Sequence, residues 1–428
     1  MAIQQRLKRR MAGVLKARLP DLGLELVVDP RKARGKRWFL SILLRTCVVG
    51  MMCRCKSLAQ AEQLSSEMSF AIRRMLGISR RVPDTTMRDT LVRVIPMHLR
   101  CCLHRQVKKA KKRKALEPVG LPFGVVAIDG KATAIEAWDG RYAQRKEDAY
   151  GGGVKGLVRT LTCSLVSSRA KVCLDAVPIH ASTNEMGQFQ DTLKGLDKTY
   201  GKDLFRLVST DAGMCSLSNA NAVKEDNKEY LFCIKNDQPT LLAEAKRLLH
   251  AEQHPLAQTE DIDGKHEVIR QLYLSEEMAG YLDWEHLRTT LRVTSIKREI
   301  ATSREVERED RYFISSLAAS ELTHPQWLYV IRQHWAVENQ CHHTWDTAFE
   351  EDEYPWIRFD PQGTLVLMLL RRMAFNVLAL FRNVTQRCDE KRQTPWKDIM
   401  RWMYNAVVSV EQTQLATLRP RRGVAIFG

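Results

Sequence analysis

Two aspartates occupy the same kind of place in this chain. Phe123-Gly-Val-Val-Ala-Ile128 is an apolar run that ends at Asp129-Gly130, and Leu204–Thr210 is a second that ends at Asp211-Ala212-Gly213. Short apolar runs rich in β-branched residues and bounded by small or turn-forming ones predict buried strands. A carboxylate at such a strand end sits at the edge of a sheet, where ligands are usually bound, and small neighbours let a phosphate backbone come close. Either aspartate alone fits equally well as the start of a turn. Two such strand ends, followed by more acids on a later helical stretch, point instead to a set of carboxylates. That stretch, Trp327–Phe349 and just beyond, carries Glu338, Asp346 and the cluster Glu350, Glu351 and Asp352. By composition any of these completes the set, and the late cluster also fits a solvated helix end.

Three carboxylates in this pattern suit phosphodiester chemistry. Cleavage by water or by a 3′-hydroxyl requires a nucleophile at neutral pH and neutralised charge on the attacking and leaving oxygens; two Mg²⁺ (or Mn²⁺) ions about 4 Å apart do both. Such hard cations take oxygen ligands, one or two carboxylates each. No nucleophile elbow and no persuasive Cys/His pair competes with this reading. His334, Glu338 and His342 are spaced at helical intervals, but H-E-x-x-H is absent and zinc is the weaker alternative.

The elements that must position these acids follow from periodicity. Residues 1–115 read as helical, with amphipathic stretches over Arg37–Met52, Leu58–Leu76 and Thr86–Leu103, and form an N-terminal associated or DNA-binding domain. The run Lys108, Lys109, Lys111 and Lys112 with its neighbours marks a boundary and offers a phosphate grip. From residue 116 to 385 the order is strand-Asp, a hairpin of Leu157–Val166 and Lys171–Ile179, a helix over Gln188–Tyr200, strand-Asp, a helix over Asn219–Asn227, and a strand over Tyr230–Lys235. This α/β order predicts an RNase-H-like mixed sheet flanked by helices. Residues 240–310 are polar and poorly periodic, apart from a possible hairpin at Gly264 and the strand-like Thr289–Lys297, and read as an insertion. Tyr312–Leu317 is a strand, Trp327–Phe349 one long helix. Residues 386–428 read as a basic C-terminal tail ending in Arg419-Pro-Arg-Arg.

Charge and cysteines narrow the class. The 428 residues carry a formal net charge of +17, which favours a polyanionic partner, nucleic acid first. The eleven cysteines include no C-x-x-C pair, so neither a zinc knuckle nor a disulfide framework is expected, and scattered thiols fit a reducing cytoplasm. Phe39–Met52 is short for a membrane span and Leu365–Leu380 is interrupted by Arg371 and Arg372; both read as buried helices, with no membrane partner expected.

The stretch His334-Trp-Ala-Val-Glu338-Asn339, then His342 and Trp345-Asp346-Thr-Ala-Phe349-Glu-Glu351-Asp352, resembles the signature of bacterial insertion-sequence DDE transposases, in the branch that includes the H-repeat-associated proteins. Ala127-Ile-Asp129-Gly-Lys131 is similar to that family's first-acid strand. Thr210-Asp211-Ala212, with Lys235-Asn-Asp-Gln-Pro239, is similar to its second-acid region. Asp29-Pro-Arg31…Gly35-Lys36-Arg37 and Pro83-Asp84-Thr85-Thr86 look like its associated helical domain. The resemblance spans roughly residues 25 to 385. It implies Asp129, Asp211 and Glu338 as the metal-holding catalytic acids. It further implies binding of terminal inverted repeats and target in double-stranded DNA, strand transfer at the nucleoid in the cytoplasm, and a homodimer or larger assembly bridging two ends. Lys131, Lys235, Arg332, His334, Trp335 and Asn339 are the expected DNA contacts beside the lysine run. Two positions depart from the wider superfamily. The Arg four residues before the Glu is here His334, and the Lys seven after it is Trp345. These departures leave open a second expectation, a decayed or co-opted DNA-binding relic. A third is a stand-alone nuclease with the same core.

Overall fold

The computed structural model describes residues 2–34, 36–147, 153–250 and 254–418; Gly35 of the Asp29–Arg37 motif and the Arg419-Pro-Arg-Arg segment lie outside them. Six helices come first: α1 (Ala2–Arg18), α2 (Leu40–Met52), α3 (Leu58–Glu67), α4 (Phe70–Leu76), α5 (Asp84–Leu91) and α6 (Pro96–Lys112). Two stretches expected as single helices are each broken by a local signal. Ser69 caps α4 by accepting from the Ile72 N–H, which ends α3 before it. Pro96 takes the first position of α6, where its missing N–H costs nothing. The basic run forms the last turns of α6, through Lys112, and so marks the end of the first group of helices.

The sheet explains where the aspartates sit. Its strands are β1 (Val125–Ile135), β2 (Ala143–Glu147), β3 (Val154–Leu165), β4 (Cys173–Pro178), β5 (Leu207–Thr210), β6 (Glu229–Ile234), β7 (Ala257–Asp263), β8 (His266–Ser275), β9 (Thr289–Glu299) and β10 (Glu305–Ser315). β4, β3 and β1 run antiparallel, and β5 and β6 then follow parallel to β1. Helices α7 (Glu185–Tyr200) and α8 (Leu217–Glu225) connect β4 to β5 and β5 to β6. That is the RNase-H-like order expected from the sequence. Central strands flanked on both faces must be apolar throughout, as Val125–Ile128 is, and burial eases at Asp129 and Gly130.

The polar segment read as an insertion is more ordered than its composition indicated. After α9 (Pro239–Leu248), β7 and β8 form a hairpin whose turn places Gly264 at φ +61°, a conformation that suits glycine. β8, β9 and β10 continue antiparallel, and the end of β10 pairs with β6 from Tyr312↔Ile234 to Ser315↔Leu231. The segment therefore extends the main sheet to ten strands. β7 buries none of its residues, and Glu305–Asp310 of β10 is exposed on both faces, which removes the apolar alternation that would have revealed them.

The later helices are α10 (His324–His334), α11 (His343–Thr347), α12 (Pro361–Leu380), α13 (Asp389–Arg392), α14 (Trp396–Ser409) and α15 (Gln412–Ala416). Residues 386–418 are therefore not a tail. α14 buries Ile399, Met400, Met403, Ala406 and Val407 in the same apolar core as α1 and α2. Both ends of the chain thus build one helical unit, with α12 at its centre. Among the described residues, the helix from Pro361 to Thr385 is long and apolar enough to cross a membrane, but its apolar window is wholly buried inside the fold. Arg371 and Arg372 are buried too, both held by the buried Glu351, with a Glu351 Oε1–Arg372 Nη2 bond of 2.8 Å.

Candidate functional site: a carboxylate cluster at the sheet edge

Parallel pairing of Ile128 with Thr210 puts Asp129 and Asp211 on adjacent strand ends. The third acid comes from the long helical stretch, which is not regular. Between α10 and α11, Val337–His342 forms a π-turn, in which the His343 N–H reaches back to the Glu338 carbonyl. Such bulges advance the side chains of one turn and recur at functional sites. Here the turn leaves Glu338 exposed while Val337, Cys341 and His342 are buried on the sheet.

The acids are within electrostatic reach of one another. Burial first, then the charges of Glu338 and Asp211, push the Asp129 carboxyl up to about 8, against the pull of the Gly130 N–H that donates to Asp129 Oδ1 at 2.8 Å. Glu185 contributes to the same repulsion. It begins α7, and burial and Asp211 raise its own pKa. Its carboxylate lies over Gly130 so closely that a Cβ there would stand 2.0 Å from Glu185 Oε1. Glycine at 130 is what admits this fourth acid. Among the described residues none of the four carboxylates forms an ion pair with a lysine or arginine. Asp129 meets only His342, whose Nδ1 is 3.4 Å from Oδ2. Burial, with Arg372 and Lys131 nearby, drives the His342 pKa down to about 3, so it is neutral.

Uncompensated, partly buried oxygen donors are the chemistry that fits a hard divalent cation. The side chains are not gathered into a finished ligand shell: among the described residues no three His, Cys, Asp or Glu side chains stand close enough to hold one ion. The histidines of the zinc alternative diverge. His334 Nδ1 contacts Ser209 Oγ at 3.2 Å beneath β5, whereas His342 turns to Asp129.

Several expected DNA contacts have other work. Lys131 is 7% exposed, and its ammonium pairs with Asp346 at 2.9 Å and Asp352 at 2.7 Å. Its charge is already matched within the fold, and Asp346 is thereby drawn away from the acid cluster. His334 is buried, with its pKa lowered to about 4 by burial and by Arg311; it braces α10 on β5 instead of facing solvent. Trp335 is half-buried, edge-on to Phe313, with the Arg311 guanidinium 4.6 Å over its ring, so that face is not open to a base. Lys235, Asn339, Lys108, Lys109 and Lys112 are exposed; Lys111 is half-buried and donates to the Tyr200 carbonyl at 3.0 Å.

A cleft of about 500 Å³ opens beside Glu338, between β8–β10 and α10. Arg270, Arg311 and Arg332 line it together with Trp335 and Asn339. Arg270 and Arg332 share Asp261, at 2.7 and 2.9 Å, and Arg311 pairs with Glu309 at 2.7 Å. Arg270, Arg311 and Glu185 escaped the sequence reading. Arg270 lies in the segment read as poorly periodic, and Arg311 falls between that segment and the strand expected from Tyr312. Glu185 lies just before a helix expected to start at Gln188, although Asn184, which accepts from the Gly187 N–H, is a legible cap.

Comparison with known proteins gives a family. Residues 123–372 match the transposase DDE domain family, a span that holds Asp129, Asp211 and Glu338. The H repeat-associated putative transposase YhhI and the putative protein YbfL, both of Escherichia coli strain K12, are each 26% identical over 239 residues. The alignments cover 54% of this chain and 57% of each relative, so the chain spans little more than half the length of the curated relatives it matches. Among solved structures, a piggyBac transposase synaptic complex with hairpin DNA aligns over 97% of this chain and 80% of that one, at 12% identity and a TM-score of 0.43.

Proposed function

The chain belongs to the transposase DDE domain family, and we propose that it is an insertion-sequence transposase that binds terminal inverted repeats, cuts DNA at the element end and joins the freed 3′-hydroxyl to target DNA. The observation that supports this reading is that Asp129 and Asp211 end adjacent strands within electrostatic reach of Glu338, with no lysine or arginine ion-paired to any of the three among the described residues. Mg²⁺ or Mn²⁺, as one or two ions held by these acids, would supply the charge that activates the attacking hydroxyl and neutralises the leaving oxygen. The chain's own residues do the rest. His342 fixes the Asp129 carboxylate from the buried side. The small residues Ala212 and Gly213 leave room for a phosphodiester to approach the strand end at Asp211, while the space over Gly130 is taken by Glu185. Arg270, Arg311 and Arg332 offer positive charge on the Glu338 side, where the strand beyond the cut would lie. Bridging two element ends calls for a dimer or larger assembly on DNA, and the work is placed at the nucleoid in the cytoplasm.

The test is cleavage and joining of labelled element-end DNA with Mg²⁺ or Mn²⁺, comparing wild type with Asp129→Asn, Asp211→Asn and Glu338→Gln. Wild type cuts and joins, and each variant binds the end but loses cleavage by about a hundredfold or more, a loss typical of removing one charge-stabilising group. A wild type that binds tightly and never cuts with either metal refutes the reading in favour of a DNA-binding relic. Residual cutting by the Glu338 variant alone moves the third acid elsewhere.

A further inference from the structure

Two sequence motifs that the acid cluster does not use converge in the helical unit. The Asp29–Arg37 loop leads into α2, and Arg80-Arg81-Val82-Pro83 leads into α5. Although some fifty residues apart in the chain, they enclose one cleft of about 270 Å³, lined by Arg31, Arg37, Trp38, Arg80, Arg81 and Thr86, with Pro83 at its edge.

The cations in this cleft fall into two kinds. Arg31 and Arg81 are committed to the scaffold. Arg31 forks onto Asp29 at 3.0 and 2.9 Å and donates to the Trp38 carbonyl, and Arg81 meets Glu62 at 2.7 Å. Arg37 and Arg80 have no carboxylate partner among the described residues. Arg80 instead lies 5.3 Å over the face of the buried Trp38, an arrangement that fixes its position without cancelling its charge. Arg37 is exposed on the neighbouring loop. Pro83 gives α5 no side-chain cap, and Glu62 closes its start instead, accepting from the Asp84 N–H at 3.1 Å, so the free positive charge of the cleft is that of Arg37 and Arg80. Lys32 and Arg34 stand exposed on the same loop as Arg37, so the loop carries more positive charge than the cleft alone, which suits a run of phosphates better than a single small anion.

We infer that this cleft is a backbone-phosphate grip for duplex DNA, separate from the acid cluster, with Arg37 and Arg80 as its contacting side chains. Because Trp38 is buried under Arg80, no aromatic face is offered to a base. The grip holds phosphates and reads no sequence. The inference rests on the DNA-directed function proposed above.

The test uses the full chain in chelator, so that nothing is cut. Binding to an element-end duplex and to an unrelated duplex is followed by fluorescence anisotropy across a salt series. Wild type is compared with Arg37→Ala/Arg80→Ala and with the charge-retaining Arg37→Lys/Arg80→Lys. Removing two phosphate contacts weakens both duplexes alike, by about tenfold at moderate salt, and flattens the log Kd–log salt slope by about 2. The lysine variant keeps the slope, and all three proteins share a thermal midpoint. If wild type binds DNA and the alanine variant matches it in affinity and slope, the grip is refuted and the transposase reading stands. The same holds if only one of the two duplexes is weakened, since that would mean base recognition. If wild type binds neither duplex, both readings fall together.

Discussion

Replacing Asp129 with asparagine should stabilise the metal-free protein while abolishing its chemistry. Asp129 is a carboxyl whose folded-state pKa lies far above its ordinary value, at about 8, through burial and the adjacent Glu338 and Asp211. The linkage sign is fixed by that direction. Below pH 4 the group is protonated whether the chain is folded or not, and it costs nothing. As pH rises the unfolded chain ionises Asp129 freely and the folded chain does not, so folding loses about 1.4 kcal/mol per pH unit up to the folded pKa. Some four units set a ceiling of ~5–6 kcal/mol above pH 8. Side-chain relaxation and entering water reduce this, and ~1–3 kcal/mol is the expectation for a site at the protein edge. Asparagine keeps the shape and an oxygen for the Gly130 N–H, and removes the charge. In chelator, thermal unfolding from pH 4.5 to 8.5 should show the two proteins nearly equal at the acid end. The variant should gain about 2–5 °C by pH 8. Adding Mg²⁺ should raise the wild type by mass action and leave the variant unmoved. A variant that is less stable than wild type at pH 8, or a difference that does not change with pH, would refute the claim that these acids repel one another in the absence of a cation.

Three further substitutions separate scaffold from site. Glu185→Gln should weaken Mn²⁺ binding several-fold by calorimetry, and Gly130→Ala should do the same by forcing the Glu185 carboxylate off its place over residue 130; equal affinity in both would remove Glu185 from the site. Lys131→Met should lower stability by ~1–3 kcal/mol in urea unfolding, because it strands the Asp346 and Asp352 carboxylates, before any effect on DNA affinity is seen; unchanged stability with weakened DNA binding would return Lys131 to the DNA-contacting set.

How much of this was legible depended on whether a residue's task leaves a local pattern. Val125–Ile128 and Leu207–Thr210 are buried on both faces, and continuous apolar runs are visible in any sequence. So the strand-end aspartates and the order of the core could be read directly. The hairpin turn at Gly264 was visible through its glycine, but the strands around it were not, since β7 buries none of its residues and β8 buries its residues in adjacent pairs instead of alternately. The ends of the chain misled for the opposite reason. The segment after residue 385 is rich in charge, yet α14 carries its apolar residues on one face and docks across the molecule on α1, a long-range contact that no window can register. Charge pairing was equally opaque. Lys131, two residues after a candidate acid, looked like a phosphate ligand; its partners lie more than two hundred residues away.

The two departures from the superfamily pattern gain a physical account from the same structure. His334 and Trp345 stand where an arginine and a lysine are expected, and both are buried. His334 ties the start of the π-turn to Ser209 on β5, the strand that delivers Asp211. Trp345 closes the other end, edge-on to Phe375 of α12 and with the Arg372 guanidinium 3.7 Å over its ring. Arg372 in turn is held by Glu351, so the exposed Glu338 is suspended between two anchors, one in the sheet and one in the helical unit. Positions that could have carried cations to DNA have become the supports of the third acid. The cations near the site come instead from β8, β10 and α10, as Arg270, Arg311 and Arg332, on the side of the cleft that faces Glu338. The cleft beside Glu338 is therefore not without cations, and the departures alter how this part of the fold is braced.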